Sequence, residues 1–71
     1  MNLEIIEIRT NAKKIVHFSS AGIQEIKLNH RGDKANVEGL AYLDQYIAAN
    51  QVEILNTHRE GMWLIFVLQR T

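Results

Sequence analysis

The chain has 71 residues, 46% of them hydrophobic, with no cysteine, no proline, and eight basic side chains against eight acidic ones. Missing cysteine excludes disulfides and thiolate zinc sites, and a neutral balance lacks the electrostatic footprint of sequence-independent nucleic-acid binding or of attraction to an acidic membrane. A chain this short buries only roughly 60% of the surface its unfolded form exposes, which makes oligomerisation a natural source of extra stability.

Residues 1–71 read as one small domain. The opening stretch "MNLEIIEIRT" has glutamates inside its apolar run and no positive leader, so no signal peptide is expected. No run approaches the roughly 20 apolar residues of a bilayer span. No membrane role and a cytoplasmic setting are the expectations.

In chain order, Leu3 to Arg9 is rich in isoleucine and partly alternating, the pattern of a strand. "TNAKK" follows as a polar turn. Ile15 to Ser20 is β-branched and aromatic and predicts a second strand. "SAG" offers a tight reversal, with Gly22 free to take positive φ. "IQEIKLN" alternates, with Gln24, Ile26 and Leu28 on one side and Ile23, Glu25 and Lys27 on the other. One polar side suggests an edge strand. A rival reading stays open here. Ala12, Val16, Ser19, Ile23, Ile26 and His30 recur at helical spacing, but the serines beside Gly22 would weaken a helix, and two strands are preferred.

"HRGDKANVEGLAYLDQYIAANQ" predicts the one helix. Asp33 is its expected N-cap, and Glu38 is an anion near the positive end of the dipole. Leu40, Leu43, Ile47 and Val37 form the expected apolar stripe, with Tyr46 at its margin. Gly39 marks close packing, and Asn50 is the expected left-handed terminator. "QVEIL" starts another strand, "NTHREG" reads as a polar loop, and "MWLIFVLQ" returns as the last strand. The fold class is therefore α+β: a small antiparallel or mixed sheet, β-β-β-α-β-β, with one helix packed on one face.

The last strand raises the functional question. Met62, Leu64, Phe66 and Leu68 share one side, and Trp63, Ile65 and Val67 share the other. A strand apolar on both sides belongs inside a sheet with both faces covered, yet a single helix covers only one. Leaving Trp63, Ile65 and Val67 in water would forgo roughly 1.5–3 kcal/mol for each. A curled sheet, a second copy or a different protein could provide the cover. A second copy is favoured, because twofold homodimers are the commonest soluble assemblies. Trp63, Ile65 and Val67 are the candidate interface residues.

Signals for chemistry are sparse. His17, His30 and His58 have no metal-ligand spacing, and there is no nucleophile elbow and no phosphate-binding glycine loop. No catalytic residue, metal or cofactor is assigned. His17 reads as a strand-face residue, and His30 and His58 as loop residues. The polar clusters are His30, Arg31, Asp33 and Lys34 before the helix and His58 and Arg59 in "NTHREG". The bland reading of each is a turn or a polar loop.

The expected function is a non-catalytic interaction or regulatory module that acts as a homodimer and binds another protein. One alternative is a sheet-type nucleic-acid binder, with Lys13, Lys14, Lys27, Arg31 and Lys34 gathered near one end of the sheet and Phe18, Phe66 or Trp63 stacking on bases. The neutral charge argues against it. The other alternative is a small enzyme with a histidine site at a subunit interface.

Overall fold

A computed structural model describes residues 3–71; Met1 and Asn2, at the head of the stretch read for a leader, lie outside the described residues. Three strands come first: β1 (Ile5–Thr10), β2 (Lys14–Ser19) and β3 (Gly22–Lys27). Helix α1 (Asp33–Ala49) follows, and β4 (Val52–Glu60) and β5 (Trp63–Arg70) close the chain. The α+β order β-β-β-α-β-β is as expected, and residues 12–30 form strands rather than a helix.

All pairings are antiparallel, in the order β3-β2-β1-β5-β4. The doubly apolar β5 therefore lies inside the sheet, flanked by β1 and β4. Glu60 pairs with Trp63, so the β4–β5 turn is only Gly61 and Met62. Gly61 takes φ 58 at the first turn position, where a primed hairpin turn favours glycine. Asn56 to Glu60 are thus strand, not the loop expected from their polarity, and His58 is a strand residue. An edge strand with one wet face tolerates such a sequence. Met62 lies in the turn, outside β5, and is exposed.

Helix α1 packs chiefly over β1 and β2. Ile6, Ile8, Ile15, Leu43, Phe66 and Leu68 form the core between the layers. At its start and end the helix departs from expectation. Asp33 is its first residue rather than its cap; Gly32, with φ 64, precedes it and no side chain caps the amides. Asn50 is extended (φ −132), not left-handed, and its Nδ2 instead donates to the Tyr46 carbonyl at 3.0 Å. The apolar stripe holds at Leu43 and Ile47, which face the core, and is displaced at its start. Ala35, Gly39 and Leu43 are buried, while Val37 and Leu40 are exposed. Small residues bring the axis close to the sheet: a Cβ on Gly39 would lie 3.2 Å from Thr10 Cβ and closer still to its hydroxyl.

Candidate functional site

Strand register divides the side chains between a helix-facing side and an open side. On the helix side, Leu68 aligns with Ile6, and Phe66 with Ile8, which aligns with His17. Phe66 is thereby buried in the core and removed from the residues considered for base stacking.

The open side carries rows that run across the strands. One row is Asn56, Val67, Glu7, Phe18 and Ile23. The next is His58, Ile65, Arg9, Val16 and Glu25. Towards the β1–β2 turn, the last row contains Glu60, Trp63, Lys14 and Lys27. Trp63, Ile65 and Val67 do share this face. Their exposure differs, however. Ile65 is 0% exposed, while Trp63 and Val67 are half-buried.

Among the described residues no second layer lies over Ile65, since α1 packs on the other face of the sheet; its cover comes from the side. The adjacent ladder positions are Arg9 and His58, and long side chains lying along a sheet shield their neighbours from water. Arg9 is held there by Glu7 at 2.9 Å, by Glu60 at 3.9 Å and by the Phe18 ring, whose centroid lies 5.5 Å from the guanidinium carbon. Val16 is buried on the same face, Phe18 is half-buried, and Ile5 and Ile23 stand 52% and 69% exposed. This open face is an apolar strip crossed by one ion-pair ladder.

The polar candidates separate. His30, Arg31, Asp33 and Lys34 surround the start of α1, where His30 Nδ1 lies 2.9 Å from Glu38 Oε1 and Glu38 also accepts from the Asn29 amide at 3.1 Å. These bonds hold the Glu38 carboxyl below its ordinary value. His58 and Arg59 are on β4, at the opposite edge of the sheet, and point to opposite sides of it. Of the five cations expected at one end, Lys13, Lys14, Lys27 and Arg31 line one cleft. Lys34 lines the neighbouring groove with Val37 and Ala41, and His30 borders both.

His17 is the residue that sequence reasoning placed least well. It sits on a strand face, as expected, but buried beneath the helix. Its Nδ1 is hydrogen-bonded with Tyr42 Oη at 3.0 Å, its ring meets Tyr46 edge-on at 4.8 Å, and its buried Nε2 has no partner among the described residues. Burial pushes the imidazole below its usual value of 6.5, against a weaker upward pull from Glu4. The available signal was the alternation in "IVHFS", which puts His17 out of phase with Val16 and Phe18.

Among the described residues, no group of three or more His, Asp or Glu side chains gathers at metal-ligand spacing. No described helix is long and apolar enough to cross a membrane. The chain matches no protein-family model, no curated protein and no solved structure at a significant level.

Proposed function

We propose that the protein is a non-catalytic interaction module that works as a homodimer, with the open face of the sheet as the contact between copies. The observation that carries this reading is the apolar strip of Phe18, Trp63, Val67, Ile5 and Ile23 on the face that α1 does not cover. Small domains often recover missing core by such association. Ile65 is already shielded within one chain, so the gain would come from its half-exposed neighbours.

The row pattern favours a second copy over an unrelated partner. Packed sheets keep their strands within about 30° of one another. A twofold axis crossing the strands between the two central rows sets Ile65 against Val67 and Val16 against Phe18. The same axis sets Arg9 of each copy against Glu7 of the other. The face is thus complementary to itself in charge as well as in polarity. Binding of a further protein would then fall to surfaces outside this contact, such as the exposed Val37 and Leu40 of α1.

Sedimentation across a dilution series from about 1 µM to 1 mM tests the reading. Twice the chain mass, falling to one on dilution, is the expected result. Glu7→Arg should leave monomers, and the swapped pair Glu7→Arg with Arg9→Glu should restore dimers. A wild-type protein that stays monomeric throughout that range overturns it.

A further inference from the structure

We infer that the cleft between the β1–β2 turn, the end of β3 and the start of α1 binds a ligand carrying several phosphates in series. This site does not rest on the homodimer reading, although Lys14 and Lys27 stand in the last row of the open face. The cleft is open to solvent, with a volume of about 630 Å³, and Lys13, Lys14, Lys27, His30, Arg31 and Gly32 are among the residues that line it. No carboxylate lines it.

The protein is neutral as a whole, so this is a segregation of charge rather than an excess. Eight cations are distributed over the chain, and half of them line one cavity. Two of the lining groups are engaged: Lys14 pairs with Glu25 at 3.0 Å and His30 with Glu38 at 2.9 Å. Among the described residues, Lys13, Lys27 and Arg31 pair with no carboxylate. Three exposed cations without a carboxylate partner line one space, and together they raise the positive potential there.

The backbone holds these groups in place. Asn11 Oδ1 accepts from the amides of Lys13 and Lys14 at 2.8 and 2.9 Å, which closes the turn. The Leu28 amide donates to the Lys13 carbonyl at 3.1 Å and ties the end of β3 to that turn. Lys14 and Lys27 face each other across the β2–β3 ladder. At the remaining wall, α1 begins at Gly32 and Asp33 with no side chain capping its amides. Uncapped amides at a helix start add positive potential suited to phosphate oxygens.

Acceptor geometry selects the ligand. Lys13, Lys27 and Arg31 line one cleft with Gly32 at the entry to α1. Each phosphate turns anionic oxygens in several directions and accepts from more than one such donor at once, whether in the triphosphate of a nucleotide or in the backbone of a single-stranded nucleic acid. A carboxylate presents two oxygens in one plane and meets fewer of these groups.

The test is fluorescence anisotropy at low salt with three labelled probes: a single-stranded 12-mer oligonucleotide, an adenosine triphosphate analogue and a polyglutamate peptide. The oligonucleotide, the nucleotide or both should bind, and polyglutamate should bind at least tenfold more weakly. Whichever phosphate probe binds more tightly identifies the source. For the oligonucleotide, the slope of log K against log salt should be about −2, as expected for three phosphates on a single strand. The triple variant Lys13→Gln, Lys27→Gln, Arg31→Gln should abolish binding with its circular dichroism unchanged. Arg59→Gln, at the far edge of the sheet, should bind as the wild type does. The inference is overturned if neither phosphate probe binds, if polyglutamate binds as tightly, or if the triple variant keeps wild-type affinity.

Discussion

Gly39 lies where α1 comes closest to the sheet, directly over Thr10. In a solvent-exposed helix, alanine would be the better residue by up to ~1 kcal/mol. Here its methyl would drive into the Thr10 side chain, and overpacking costs about 1–3 kcal/mol. The hydroxyl of Thr10 is itself buried without a partner among the described residues, which gives it no favourable place to move. Gly39→Ala should therefore lower stability by about 1–2 kcal/mol in urea unfolding. Adding Thr10→Ala should recover most of that loss, because the two side chains meet. Independent, additive effects would show that they do not.

His17 has a pH signature. Its neutral form is favoured in the folded state, since burial disfavours the charged ring. As pH falls below 6.5 the unfolded chain takes up the proton first, so stability drops. The loss continues down to the depressed native value and then levels. Urea midpoints measured from pH 8 downward should show this decline, and His17→Gln should remove it. An unchanged slope in the variant would assign the proton to another group.

At the scale of elements, Glu4 joins three of them. Its carboxylate accepts from the Ser20 amide at 2.7 Å and from the Ser20 hydroxyl in the β2–β3 turn, and from Arg70 Nε at 3.0 Å at the end of β5. Ser20 contributes most, followed by Arg70, and together they push the carboxyl down to about 2. The stability this clasp gives is complete above the ordinary value of 4.5 and is lost as pH falls towards about 2. Wild type and Glu4→Gln should therefore differ at neutral pH and converge through that window in an acid titration of the urea midpoint. Parallel curves would mean that the clasp is absent in solution.

Among the elements, β3 and its edge position followed from alternation and from the helix-weakening serines beside Gly22, and the existence of α1 from apolar residues at helical spacing. The helix stripe followed only in part: Leu43 is in the core and Ile47 and Tyr46 pack against it. Val37 and Leu40 satisfy the spacing rule, yet Ala35 and Gly39 make the contact. A helix settles where its backbone can approach a sheet, and small residues decide that better than large apolar ones. "NTHREG" misled for a related reason. Its polarity reflects an exposed edge strand, and polarity does not distinguish that from a loop.

Across the whole molecule, the first strand pairs with the last, Ile6 beside Leu68. The centre of the sheet is thus closed by its most sequence-distant partners, and the edges are exposed strands β3 and β4. Hydrogen exchange should follow that arrangement. Amides of β1 and β5 should exchange only on global unfolding, and those of β3 should exchange fastest among the strands. Equal protection in β3 and β1 would contradict it. The topology also carries long-range closure, so folding should be slower than for a helical domain of this size.

Local pattern was enough to determine the order of the elements and the double greasiness of β5, because strand alternation and helical spacing are properties of near neighbours in the chain. Tertiary structure alone decided how Ile65 is covered, where His17 lies beneath the helix, and that four of the five cations expected near one end line a cleft while Lys34 does not. Those outcomes depend on strand order and register. Both are set by contacts between residues far apart in the chain, which local spacing does not encode.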